Sequence, residues 1–136
     1  MTPAPTAVDP VDPFDLPEWL GETVVTWTAA GGVRAGHAVP GALTSGGHDD
    51  LPCDLLAVDV AYPAPVAPEP VRHDAHQAWR HGQVLTVRVG GRLTLAVPGT
   101  GFDADAVLDA LGRLAKAVGA SPERWSVLLR IGLDRP

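Results

Sequence analysis

The sequence predicts an α+β domain, with an antiparallel sheet of about five to six strands and two main helices packed on one face. In several segments apolar residues alternate with polar ones, which is the pattern of a strand with one buried face. In other segments they recur every three to four residues, which is the pattern of an amphipathic helix. With a short N-terminal helix added, the predicted order is α-βββ-α-ββ-α-β.

The N-terminal stretch differs in composition from the rest of the chain. Residues 1–13, MTPAPTAVDPVDP, contain four prolines and two Val-Asp-Pro units. Such a composition cannot build a core, so we expect a disordered proline-rich tail. Residues 14–136 are expected to form a single α+β domain, since a chain of 136 residues can bury about two-thirds of its unfolded surface.

The first predicted helix lies in FDLPEWLG, where Asp15 and Glu18 have the spacing of a capping box and Gly21 can end the helix. Two interpretations of its apolar side chains stay open. They could close one end of the domain, or they could dock into a groove on a protein partner. The side chains concerned are Phe14, Leu16, Trp19 and Leu20.

Three strands are predicted to follow. Residues 23–39 alternate like a hairpin, with a loop at residues 30–32 that would place Trp27 opposite Ala35. Residues 53–62 are apolar at most positions and are predicted to be a central strand.

A proline-rich connector, PAPVAPEP, leads into the predicted helix VRHDAHQAWRHG, with Pro70 in the first turn and Gly82 at its end. One face carries the apolar residues that would be buried. The neighbouring face carries His73, His76 and Arg80 at spacings of three and seven.

The second hairpin, QVLTVRVGGRLTLAV, can be paired in two registers. A three-residue loop over 90–92 would pair Val87 with Leu95 and make one face wholly apolar. A two-residue loop would mix polar and apolar groups on both faces. Because register follows the hydrophobic pattern, we predict the three-residue loop.

Residues 103–118 have the strongest helical pattern, with Asp103 as the expected N-cap and Gly119 as the expected end. A last strand is predicted in SVLLRIG. The predicted apolar stripe consists of Val107, Leu108, Leu111, Leu114, Ala115 and Val118.

Residues that could bind a ligand occur in two places. His73 and His76 lie one helical turn apart, and the loop SGGHDD supplies His48, Asp49 and Asp50. Together they would suit a metal-dependent enzyme or a small-ligand binder. Arg80 lies on the next turn of the histidine face and would repel a cation, so solvated histidines are the competing interpretation.

Other catalytic patterns are weak. Gly99, Gly101 and Ala104 fit G-x-G-x-x-A, but the preceding strand belongs to a hairpin and Asp103 and Asp105 would oppose a phosphate. Cys53 opens an apolar strand and is predicted to be a core residue. We predict no cofactor.

The charge balance limits the partners. The net charge is −6 and the arginines are scattered, which argues against nucleic acid. No apolar run approaches the roughly 20 residues that span a membrane. No targeting signal is recognisable, and the single cysteine cannot form an intrachain disulfide, so a cytoplasmic location is expected.

Up to its third helix, the predicted order α-βββ-α-ββ-α resembles that of small acidic secretion-chaperone-like domains. It favours a non-catalytic protein-binding or chaperone-like accessory domain, with a protein partner of unknown identity. The alternative is the metal-dependent enzyme or ligand binder just described. A homodimer is plausible in either case, since an exposed sheet face or edge strand invites self-pairing.

Overall fold

A computed structural model describes residues 8–29, 38–59, 67–99 and 104–128. Within these ranges the chain forms strands and helices in a mixed α+β arrangement. The strands are β1 (Val8–Pro10), β2 (Val25–Ala29), β3 (Ala38–Val39), β4 (Gly41–Thr44), β5 (Leu51–Ala57), β6 (Leu85–Val89), β7 (Arg92–Val97) and β8 (Trp125–Leu128). The helices are α1 (Trp19–Glu22), α2 (Glu69–Arg80) and α3 (Ala104–Ala117), with short 3₁₀ helices at Pro13–Asp15 and Pro122–Arg124.

The strands form one sheet in the order β1-β6-β7-β5-β4-β2-β8, and β3 pairs with β5. Most pairs are antiparallel, but β5 with β7 and β2 with β8 are parallel. The α+β class and the largely antiparallel sheet are therefore as predicted. The strand count, the element order and the two parallel pairs differ from the prediction, because alternation within a strand carries no information on its neighbours.

The two long helices begin and end close to the predicted residues. Pro70 lies in the first turn of α2, and Gly82, with φ 77°, follows its C-cap residue His81. Gly119, with φ 81°, lies just after α3. Positive φ favours glycine, so both ends were readable from the sequence. The N-cap expected at Asp103 lies outside the described residues.

The helices cover opposite faces of the sheet, and the prediction that they share one face is wrong. Leu95 and Ala96 are neighbours in β7, both are fully buried, and alternation points them to opposite faces. Leu95 packs in the hydrophobic cluster that contains Leu111 of α3. Ala96 packs in a second cluster that contains Ala75 of α2. The central strands are therefore covered on both sides.

The register of the β6–β7 hairpin also differs from the prediction. Val87 pairs with Thr94, and Val89 pairs with Arg92, so the loop is the two-residue Gly90-Gly91. Both glycines have positive φ, as a tight hairpin turn of this length requires. The prediction rests on a hairpin with one buried face. In the structure both faces of β7 are buried, so a face that carries both polar and apolar residues does not disfavour this register.

β2 pairs with β4 on one side, with Trp27 opposite Leu43, and with β8 on the other, with Trp27 opposite Val127. This contradicts the predicted pairing of Trp27 with Ala35, which itself lies outside the described residues. Trp27 is fully buried and its Nε1 donates to the Cys53 carbonyl at 2.8 Å. The indole lies so close to Gly41 that a Cβ there would come within 2.4 Å of the ring. A glycine is therefore required where β4 crosses Trp27.

Part of the predicted disordered tail is a strand. β1 pairs antiparallel with β6, with Val8 opposite Val89, and residues 1–7 lie outside the described part. The pairing continues past the strand, because the Val11 amide donates to the Thr86 carbonyl at 2.9 Å and the Thr86 hydroxyl donates to the Val11 carbonyl at 2.6 Å. Proline is tolerated in an edge strand, so Pro10 does not prevent this pairing.

Candidate functional site

The segment that holds Phe14 is a capped turn. Asp12 precedes the 3₁₀ helix Pro13–Asp15 and its Oδ1 accepts a hydrogen bond from the Phe14 amide at 3.0 Å. The Asp15 amide donates to the Asp12 carbonyl at 2.8 Å. These bonds fix the backbone with the Phe14 side chain 91% exposed. The capping box predicted between Asp15 and Glu18 is absent here, because Asp12 is the residue that caps.

The other apolar residues of the predicted docking segment have different surroundings. Leu16 and Leu20 are buried in the main hydrophobic cluster, where they contribute to the core. Trp19 is half-buried against the same cluster. Gly21 does not end α1, which runs to Glu22; a Cβ at Gly21 would lie 2.8 Å from the Val118 carbonyl oxygen. Of the four predicted docking residues, only Phe14 is largely exposed.

The predicted His48 loop lies beside this segment. The His48 ring stacks on the Trp19 ring, with centroids 5.0 Å apart and planes inclined by 10°. The Ser45 hydroxyl, at the start of the loop, donates to the Thr23 hydroxyl at 3.0 Å. Asp49 and Asp50 are exposed. The loop is therefore attached to the end of α1, and His48 covers one side of Trp19.

The surroundings of Phe14 are strongly acidic. All five carboxylates of the described part of the N-terminal segment are exposed, and none forms a salt bridge with any residue in the four described ranges. These residues are Asp9, Asp12, Asp15, Glu18 and Glu22. Asp12 and Asp15 belong to the same turn as Phe14, and Glu18 and Glu22 line a cavity together with it, so the exposed ring has acidic neighbours.

A groove of about 580 Å³ begins beside the Phe14 turn. Pro13 lines it on one side, Val84 and Leu85 of the β6 region contribute apolar surface, and Lys116 and Arg113 of α3 contribute positive charge. Lys116 is exposed and is the only lysine of the chain. We call this cavity the α2–α3 groove, and its volume falls in the range typical of ligand pockets.

Arg113 fixes the wall of this groove. Its Nη1 donates to the carbonyls of Trp79 at 2.8 Å and Gln83 at 3.0 Å, and its guanidinium carbon lies 3.5 Å from the centre of the Trp79 ring. Its Nε also donates to Asp109 at 3.0 Å. Arg113 therefore joins α3 to the C-terminal end of α2 and is engaged in structure. Lys116 is the cation that remains available at the rim.

The predicted metal or ligand site does not assemble as proposed. His76 lies 2.6 Å from Asp59, measured from Nε2 to Oδ2, and the same Asp59 oxygen accepts from the Gly99 amide at 3.0 Å. His73 and Arg80 are exposed on α2. His48 is held by Trp19 instead of joining them. No group of three or more His, Cys, Asp or Glu side chains within the described ranges could hold a metal ion.

No pattern in the sequence marks Asp59 as a site residue. Asp59 follows β5, while Gly99 follows β7, and only the parallel pairing of these strands brings their carboxyl ends together. The parallel pairing of two strands that are distant in sequence cannot be predicted from the residues next to Asp59. No sequence pattern points to the contribution of Arg113 and Lys116 to the groove either, because basic residues near the C-terminal end of a helix are expected from its dipole alone.

Cys53 is fully buried, as predicted, and burial raises the pKa of its thiol, with the neighbouring Asp54 carboxylate adding to the effect. The thiol is therefore protonated and unsuited to nucleophilic attack. Asp54 forms a bidentate pair with Arg92, with both N–O distances 2.8 Å, and this hydrogen-bonded pairing raises the pKa of Arg92. The pair bridges β5 and β7 and is satisfied within the fold.

Comparison with models of known protein families, with curated proteins and with solved structures gave no match to this chain. Among the helices of the described part, none has the length and apolar character needed to cross a membrane.

Proposed function

We propose that the chain is a non-catalytic protein-binding accessory domain, and that Phe14 is its main contact. The observation that carries this proposal is a phenylalanine side chain 91% exposed on a capped turn. Burial of a large apolar side chain contributes about 1.5–3 kcal/mol, and burial of the exposed Phe14 ring by a partner could supply this free energy. Aromatic residues that are held rigidly are the common anchors of protein interfaces.

The surroundings of Phe14 define the chemistry of the partner. An aromatic anchor needs an apolar pocket, and the carboxylates around it favour basic side chains at the pocket rim. We therefore propose a protein partner with a basic-rimmed apolar pocket. The chaperone-like role is a proposal from the predicted element order, with which the observed order agrees only in part. The cytoplasmic location is likewise proposed, from the single cysteine.

The test is affinity capture from an extract of the native host, with the wild-type chain and the F14A variant as matched baits. We expect at least one protein to be enriched on the wild type and to be lost with F14A. Its affinity for the purified chain, measured by titration calorimetry, is expected to fall at least about tenfold in F14A and to weaken as salt is raised, because carboxylates contribute to binding.

The matched control is L108A on α3. Leu108 is also a large exposed apolar residue, with 52% exposure and acidic neighbours at Asp105 and Asp109, but it lies in the regular helix α3 and not on a capped turn. The variant should retain the partner that F14A loses. Equal enrichment of every protein on wild type and F14A would refute Phe14 as the contact.

A second candidate function is a small-ligand or metal-ion binder at His76 and Asp59, which lie 2.6 Å apart. Among the described residues a metal ion would have only these two protein ligands here, and it would replace their hydrogen bond. The contact lies at the carboxyl ends of two parallel strands, where ligands often bind in α/β sheets. It predicts that Zn²⁺ raises the melting temperature of the wild type and leaves that of H76A unchanged. Identical melting curves for the wild type with and without Zn²⁺ would dismiss the metal-ion form.

A further inference from the structure

The α2–α3 groove has the properties that the proposed function requires of a partner surface. Val84 and Leu85 give it an apolar lining, and the exposed Lys116 also lines it. Its volume of about 580 Å³ exceeds what one phenylalanine side chain needs. The chain thus carries both an exposed aromatic anchor and a basic-rimmed apolar groove.

We infer that the groove binds the Phe14 turn of a second copy of this chain, in a symmetric dimer in which each copy inserts its Phe14 into the groove of the other. This inference rests on the proposed function and names one partner for it. Phe14 is not in the groove of its own copy, because its side chain is 91% exposed.

The position of the groove supports a two-fold arrangement. Pro13 lines the groove and directly precedes Phe14, so the anchor and its receptor lie side by side on one surface. In a two-fold dimer the same patch is used twice, and a residue that contacts its receptor is contacted in return. Adjacent anchor and groove would therefore form one continuous interface instead of two separate contacts.

Charge supports a second copy as the occupant. The Asp12 carboxylate accepts from the Phe14 amide, so Asp15 is the carboxylate of the turn that remains available. Asp15 is exposed, and Lys116 is exposed at the groove rim. Neither forms a salt bridge within the four described ranges. Insertion of Phe14 would bring an acidic turn to the only lysine of the chain.

The test is sedimentation of the purified chain over a concentration series at low salt. The wild type should show a monomer–dimer equilibrium, and F14A should raise the dimer dissociation constant at least about thirtyfold, as expected for an anchor residue. D15K and K116E should each weaken the dimer. The double variant D15K/K116E should recover affinity, because the pair is restored with its signs exchanged.

Two controls separate this contact from general effects. R124E changes an exposed cation in the 3₁₀ helix Pro122–Arg124 by the same charge as K116E, and should leave the dimer intact. L108A should also leave it intact. Far-ultraviolet circular dichroism should be unchanged in every variant, because all the altered side chains are exposed.

A wild type that stays monomeric at every concentration would overturn the dimer, as would a dimer that F14A does not weaken. If the wild type is monomeric while F14A still loses a captured protein, the dimer fails and the proposed function stands. If F14A changes neither self-association nor capture, both fail.

Discussion

The 3₁₀ turn at Pro13–Asp15 and the α1 helix at Trp19–Glu22 are close in sequence, but they differ in whether their large apolar side chains are buried. Leu20 of α1 is fully buried in the core, whereas Phe14 of the turn is 91% exposed. Both segments have fixed backbones. The difference shows that Phe14 is exposed because of the direction the turn gives it, since Asp12 caps the turn with the side chain outward.

Within this one segment, some apolar residues stabilise the fold, and Phe14 is available for the proposed binding. Leu16 and Leu20 stabilise the end of the core, and the same attachment holds the Phe14 turn in place. Phe14 itself contributes almost no burial. A large apolar side chain that contributes little to folding is available for the proposed contact with a partner. The two positions should therefore respond to substitution in opposite ways.

The largest expected effect is that of L20A on stability. Leu20 is fully buried, so its truncation leaves a cavity and should lower the free energy of unfolding by about 2–5 kcal/mol. Urea unfolding followed by circular dichroism measures this change. At temperatures where L20A remains folded, its binding should match that of the wild type. A change below about 0.5 kcal/mol would show that the end of the core is not formed as described.

The next effect is that of D12A, which removes the cap of the turn. The Phe14 amide would lose its hydrogen bond to Oδ1, at a cost of about 0.5–2 kcal/mol by analogy with helix caps. Because the cap fixes the direction of Phe14, affinity should fall together with stability. D12N keeps an acceptor at the same position and is the matched control. If D12A binds as well as the wild type, a fixed direction of Phe14 is unnecessary.

A smaller effect is expected for H48A. The His48 ring stacks on Trp19 with centroids 5.0 Å apart, and aromatic pairs of this kind contribute about 0.5–1.5 kcal/mol. His48 is exposed, so the loss should lie at the lower end of that range. H48F should restore the stability, since it keeps a planar ring. Loss of bound metal in H48A would instead support the histidine loop as a ligand site.

The smallest effect on stability is that of F14A. The side chain contacts little of the core, so the free energy of unfolding should stay within about 0.5 kcal/mol of the wild-type value. Thermal denaturation at matched concentration, below the range of self-association, measures this. A loss comparable with that of L20A would mean that Phe14 is a core residue and would remove the contrast between the two positions.

The sequence predicts the helices better than the sheet, for a physical reason. The ends of α2 and α3 follow from Gly82 and Gly119, whose positive φ is a local requirement. The register of β6 with β7 depends on how many faces are covered, and Ala96 is buried by a helix that the hairpin pattern does not contain. Alternation alone therefore led to the wrong loop length.

The candidate site was predictable only in part. The segment was identified from its apolar residues, but Phe14, Leu16 and Leu20 belong to the same residue class and their burial depends on the turn that Asp12 caps. Likewise, Asp59 meets His76 because β5 and β7 are parallel, and Lys116 reaches the groove because Arg113 joins α3 to α2. Each of these depends on contacts between distant parts of the chain.

The most direct test of Phe14 as the contact is the enrichment ratio between wild-type and F14A baits, measured by mass spectrometry on proteins captured from the native host. An exposed anchor predicts at least one protein enriched about tenfold or more on the wild type, retained by L108A, with unchanged melting of F14A. Equal recovery of all captured proteins on the two baits would contradict it.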